Sequence, residues 1–156
     1  MTPLVPLAPL HYRQAQKQDM PWAYSLFREN LRRYIEQTWG WDEVFQRHSF
    51  DMNLPAQAWQ IASQQGQDVA AYCLKDQGEY LQLAMLLVLA DRQRQGIGSQ
   101  IITDIKQQAT TRGMPLRLDV LKRNPAHEFY RATGFAVEDQ DGDRFRFYWS
   151  PTTSEN

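Results

Sequence analysis

The chain has one cysteine, Cys73, which excludes an intramolecular disulfide and suits a reducing compartment. No apolar run approaches the ~18–20 residues that a membrane-spanning helix requires. A basic leader followed by an apolar stretch is also missing, because Pro3, Pro6 and Pro9 break up what hydrophobic character the start has. Neither sign of charge prevails: 17 basic and 18 acidic residues leave a formal net charge of −1, so there is no bulk electrostatic case for nucleic acid. His11, His48 and His127 are scattered without metal-ligand spacing, and no metal is expected. The expectation is a cytoplasmic protein without membrane or nucleic-acid partners.

What remains is ordinary globular composition, 42% hydrophobic and 22% charged. A length of 156 residues fits one domain, 1–156, with loose ends at about 1–8 and 150–156. Leu10 to Gln14 reads as a short strand. Met20-Pro21 opens a helix with Phe27, Leu31, Tyr34, Ile35 and Thr38 on one face, ending near Gly40. A shorter helix follows from Trp41 or Asp42 to about Phe50. Ala58–Ser63 and Val69–Leu74 form a hairpin around Gln65-Gly66-Gln67, placing Cys73 in a strand as an inert packed thiol. Tyr80–Leu89 is the central strand and Gly96 to about Arg112 the main helix, with Gly113 at its C-terminal cap.

Pro115–Leu121 alternates Leu116, Leu118 and Val120 against Arg117 and Asp119, as a strand does. Asn124-Pro125 supplies an N-cap and a first-turn proline, and Gly134 the residue after the helix. Phe135–Glu138 and Phe145–Trp149 flank Asp141-Gly142-Asp143 as a closing hairpin. The resulting order is an α/β sandwich on a mixed, mostly antiparallel sheet of about seven strands with about four helices.

The most informative segment is Gln93-Arg94-Gln95-Gly96-Ile97-Gly98. The run before it, Leu83–Ala90, is almost wholly apolar and reads as a strand buried on both faces. After it, Ile97, Ile101, Ile102, Ile105 and Ala109 fall on one helical stripe. Strand, glycine turn and helix start together aim backbone N–H groups at an anion, a phosphate or pyrophosphate. Any Cβ at the two glycines would keep that anion from the main chain. A P-loop would need Gly-Lys-Ser/Thr, but Gly98 precedes Ser99-Gln100; a dinucleotide fingerprint would need a third glycine where Ile101 stands.

A second motif, Asn124-Pro125-Ala126-x-x-Phe129-Tyr130-x-x-x-Gly134-Phe135, lies one strand further on. Together with Gln93-x-x-Gly96-x-Gly98-Ser99 it resembles the GNAT superfamily of acetyl-CoA-dependent N-acetyltransferases over roughly residues 69–149. The resemblance implies a GNAT-like three-layer sandwich. It also implies acetyl-CoA as co-substrate, with its pyrophosphate on the N–H groups of Arg94, Gln95, Gly96, Ile97, Gly98 and Ser99, beside Gln93. Its pantetheine would meet the main chain of Leu86, Leu87 and Val88, with Asn124 and Phe129 nearby and an oxyanion donor near Val88. Arg94 adds charge to the site or is a solvated loop residue.

By the same resemblance Tyr130 is the catalytic residue, protonating the departing thiolate; packed core is the other reading. An unperturbed phenol titrates near ~10 and so holds a proton at neutral pH. Some relatives carry a basic carboxylate at the position aligned with Gln82, which cannot accept a proton. Glu79, Glu36, Asp42 and Glu43 remain as candidates, or no dedicated base exists. Tyr34, Trp39, Trp41 and Glu43 are candidate acceptor residues, an aromatic pocket with a carboxylate for a cationic amine. Alternatively Trp39 and Trp41 are core anchors, with Asp42 capping the second helix. Arg146 and Tyr148 point toward the acceptor or toward solvent. The activity implied is acetyl transfer to an amine, on a small molecule or peptide, by direct attack in a ternary complex. A non-catalytic acyl-CoA-binding module, a longer acyl donor and a homodimer remain open.

Overall fold

The computed structural model describes residues 7–151, so most of the expected loose ends at 1–8 and 150–156 lies outside the described residues. The chain runs through β1 (His11–Gln14), α1 (Met20–Trp39), α2 (Glu43–Asn53), β2 (Trp59–Gln64), β3 (Gln67–Asp76) and β4 (Leu81–Val88). It continues with α3 (Ile97–Arg112), β5 (Leu116–Leu121), α4 (Ala126–Ala132), β6 (Ala136–Gln140) and β7 (Arg144–Trp149). The strands form one sheet in the order β1-β2-β3-β4-β5-β7-β6, and only the β4/β5 pair is parallel. The expected seven-stranded, four-helix α/β sandwich is therefore observed.

Local chemistry explains most boundaries. Gln65 and Gly66 both have positive φ, +52° and +79°, the two-residue turn whose twist suits a hairpin between β2 and β3. Asp42 accepts the Phe45 N–H at 3.0 Å and starts α2, which runs three residues past the expected end to Asn53. Gly113, at φ +66°, closes α3, and Met114 N–H returns to the Ala109 carbonyl at 2.9 Å. Helix α4 begins at Ala126, one residue later than its motif suggests. Asn124 Oδ1 still accepts the Ala126 N–H at 2.9 Å, so its capping role survives with Pro125 at the boundary.

The helices cover opposite faces. The isoleucine stripe of α3 packs with Tyr130, Phe135, Leu116, Leu118 and Phe147. Helices α1 and α2 bury Phe27 and Phe50 against Trp59, Ile61, Cys73 and Leu87.

The sheet is discontinuous in the middle. Cys73 pairs with Met85 and Leu74 with Leu83, leaving Ala84 as an extra residue in β4. Such a bulge bends its strand and strengthens the local twist. Strands β4 and β5 pair only at Leu81–Leu116 and Gln82–Arg117, then diverge. The reading of Leu83–Ala90 as buried on both faces needs correction for this reason. Leu83 and Leu87 are buried, whereas Ala84, Met85, Leu86 and Val88 are half-buried along the opened edge and Ala90 is exposed. Among the described residues no helix is long and apolar enough to cross a membrane.

Candidate active site

The glycine turn delivers an unblocked helix N-terminus. Arg94 and Gly96 adopt left-handed backbone, φ +65° and +91°, and turn the chain into α3. No side chain caps this end and no acid occupies the first turn. The first N–H groups of any α-helix lack partners within it, so those of Gly98 and Ser99 are available to an anion at the positive end of the dipole. The two glycines are under different constraints. At Gly96 a Cβ would meet nothing within 4 Å, so the positive φ is what requires glycine. At Gly98 a Cβ would sit 3.4 Å from the Phe129 ring, an ordinary contact, so packing of α3 on α4 does not by itself demand glycine there.

A cleft of about 550 Å³ runs from this turn along the opened β4 edge. Leu86, Val88, Gln93, Arg94, Gly96, Gly98 and Ser99 line one side, with Asn124, Phe129 and Tyr130 opposite. Three expected residues are not brought to it by their side chains. Leu87 and Ile97 point into the core, each 1% exposed, and Gln95 folds back to donate to the Asp91 carbonyl. Only their main chain can serve the site.

The cleft also contains Asn30 and Arg92, which sequence reasoning missed. Asn30 Nδ2 donates to the carbonyls of Leu26 and Val88 at 2.8 and 3.2 Å. Gln93 Nε2 donates to Asn30 Oδ1 at 3.2 Å and to the same Val88 carbonyl at 3.1 Å. These two amides tie α1 and the loop after β4 to the free end of β4. On a helix face Asn30 has no signal distinguishing it from any solvated polar residue.

Tyr130 packs edge-on to Phe129 and Phe135, with ring centroids at 5.1 and 5.7 Å. Burial pushes its phenol well above the ordinary value, because the phenolate would lose water and gain no compensating charge. Tyr130 borders the large cleft and also a second cavity of about 230 Å³. Leu31, Leu86, Asn124 and Ala126 are the other residues common to both. The two spaces therefore meet at Tyr130, on either side of the gap between β4 and β5.

The expected acceptor group divides. Tyr34 lines the large cleft and Trp39 the second cavity. Trp39 Nε1 donates to Asp143 Oδ2 at 2.9 Å and the Arg144 guanidinium lies 4.9 Å over its ring, joining the end of α1 to the β6–β7 hairpin. Trp41 and Glu43 border neither space. Trp41 packs 5.9 Å from Phe27, while Glu43 accepts from Tyr24 Oη at 2.5 Å and Trp41 Nε1 at 2.9 Å. The bond from Tyr24, then that from Trp41, hold the Glu43 carboxyl below the usual range, which ill suits a base.

The other carboxylates considered as bases are likewise committed or distant. Asp42 caps α2, Glu36 lies 3.8 Å from Arg32, and Glu79 borders neither space. Gln82 faces a separate charged basin with Arg117 and Glu138, alongside Arg146. Tyr148 lies beneath the Arg117 guanidinium at 5.4 Å. The carboxylates that do border the two spaces are Glu128 and Asp119. Among the described residues no group of three or more His, Cys, Asp or Glu could hold a metal ion.

Residues 55–137, just over half of the chain, match the family described as acetyltransferase (GNAT) domain. No curated protein matches the sequence. Among solved structures, the PaiA N-acetyltransferase of Thermoplasma acidophilum in complex with coenzyme A is similar at a TM-score of 0.75 and 17% identity, over 92% of this chain and 99% of that one. The ribosomal-protein-S18-alanine N-acetyltransferase of Escherichia coli is similar at 0.66 and 18% identity, over 94% and 97%. The N-acetylglutamate synthase of Neisseria gonorrhoeae, complexed with coenzyme A and N-acetyl-glutamate, is similar at 0.65 and 16% identity, over 92% of this chain but 35% of that one. At such identities these likenesses concern the fold.

Proposed function

The chain belongs to the GNAT acetyltransferase family, and on that premise we propose that it transfers the acetyl group of acetyl-CoA to a primary amine by direct attack in a ternary complex. The observation that carries the reading is the position of Tyr130 where the two spaces join. A thioester lying along the opened β4 edge, with its diphosphate at the Gly98 and Ser99 N–H groups, would present its carbonyl to an amine entering from the smaller cavity. The amine nitrogen forms a bond to the thioester carbonyl carbon and the carbon–sulfur bond breaks. Tyr130 gives its phenolic proton to the departing sulfur, while the proton shed by nitrogen passes to solvent and restores the phenol. The phenol holds its proton across the neutral range and so has one to give; burial raises its pKa further and adds nothing to its acidity, so the role rests on position.

Acetyl-CoA binding by thermal shift, followed by thiol release over an amine panel, tests the reading. Binding together with amine-dependent thiol release is the expected result. Binding without turnover on any amine would instead support a non-catalytic acyl-CoA module, a reading favoured by the glutamine at position 82.

A further inference from the structure

The second cavity, at about 230 Å³, is smaller than the ~300–1,000 Å³ typical of sites for drug-sized ligands. Its walls are largely apolar, with Leu31, Ile35 and Met85 among them. Two charged side chains border it, Asp119 and Arg144. Asp119 lies 4.0 Å from Arg146. Arg144 forms no ion pair among the described residues.

The acids closest to Arg144 in sequence are engaged elsewhere. Asp143 accepts from Trp39 Nε1, and Asp141 Oδ1 accepts the main-chain N–H groups of Asp143 and Arg144, both at 2.8 Å. The Arg144 guanidinium carbon lies 4.9 Å from the Trp39 ring centroid, and among the described residues the guanidinium N–H groups donate no hydrogen bond. A planar fork of this kind matches a carboxylate through two parallel hydrogen bonds.

We propose that the acceptor is a free amino acid, its carboxylate held by Arg144 and its amine directed toward Tyr130 through the small cavity. This deepens the acetyl-transfer reading and rests on it. The apolar wall favours an uncharged side chain. Trp39, fixed by Asp143, is the positioning residue that aims Arg144.

The test compares kcat/KM for the standard amino acids with that for their carboxamides, in the wild type and in Arg144→Gln and Arg144→Lys. Loss of a charge-assisted hydrogen-bond pair sets the expected scale, an acid-over-amide preference of about 10- to 100-fold in the wild type. That preference should collapse toward unity in Arg144→Gln and return in part in Arg144→Lys, which keeps the charge without the fork. Equal wild-type use of acids and amides overturns the inference, whatever the variants do. So does an Arg144→Gln effect that lowers both classes equally, the outcome of a purely structural role. If acetyl-CoA binds and other amines react but amino acids do not, only this inference fails. If no amine reacts, the acetyl-transfer reading fails with it.

Discussion

Asn30 and Gln93, 63 residues apart, meet at 3.2 Å and donate to one acceptor, the carbonyl oxygen of Val88. That carbonyl stands where β4 has lost β5 as a partner, so two side-chain amides replace a missing strand. Asn30→Ala removes the bonds to Leu26 and Val88 together. Unfolding in denaturant should show a loss of about 1–3 kcal/mol, the range for one or two such bonds. The KM for acetyl-CoA should rise as well; an unaltered KM and stability would mean that water replaces the amide at no cost.

Tyr130→Phe keeps the ring against Phe129 and Phe135 and deletes only the hydroxyl. Turnover is expected to fall about 10- to 1,000-fold, in keeping with general-acid contributions. The midpoint of thermal unfolding should move little. Unchanged turnover would assign Tyr130 to packing alone.

Gly96 and Gly98 should respond differently to alanine. Gly96→Ala places a side chain at φ +91°, at a cost of about 1–2 kcal/mol to the fold. Gly98→Ala meets Phe129 at 3.4 Å, near ordinary contact, and should spare stability while obstructing the N–H groups. Calorimetric titration with acetyl-CoA should show weaker binding for both, and chemical denaturation a larger deficit for Gly96→Ala. A Gly98→Ala protein that binds as tightly as wild type would remove the helix start from the coenzyme site.

Glu43 makes the stability of the α1–α2 junction dependent on acid. Its folded-state pKa is depressed by the bonds from Tyr24 and Trp41, so its contribution is present above the unfolded value of ~4.3 and is lost as pH falls through the folded one. Glu43→Gln should therefore be less stable than wild type at pH 7, with the gap narrowing below pH ~4. Parallel denaturation curves across that range check this. A constant gap would show that Glu43 braces the junction without regard to charge.

Cys73 is wholly buried between β2 and β4, and burial pushes its thiol up to about 11. A thiol reagent should leave the native protein unmodified and label one group only as the fold opens. Rapid labelling of folded protein would contradict that packing.

The cleft proposed for the acyl donor was legible in outline because its walls depend on local spacing. The αL turn, the isoleucine stripe and the run from Asn124 to Gly134 each need particular residues within a few positions of one another. The cavity proposed for the acceptor depends on long-range register. Trp39 and Trp41 are the same residue type two positions apart. The chain reverses at Gly40, φ +83°, sending one to the small cavity and the other behind α1 against Phe27. Arg144 reaches that cavity because β7 pairs it with Leu121, a register that its own surroundings do not announce. The bulge at Ala84 left no mark either, since alanine carries no turn preference of the glycine or asparagine kind.

Ala84 gives the middle of the molecule an odd arithmetic. Against β3, strand β4 carries one residue too many, two positions beyond Gln82, where β4 makes its last pairing with β5. The place where two substrates could meet is then a matter of strand lengths before it is a matter of reactive groups. One surplus alanine, inert in every chemical sense, stands where the doorway begins.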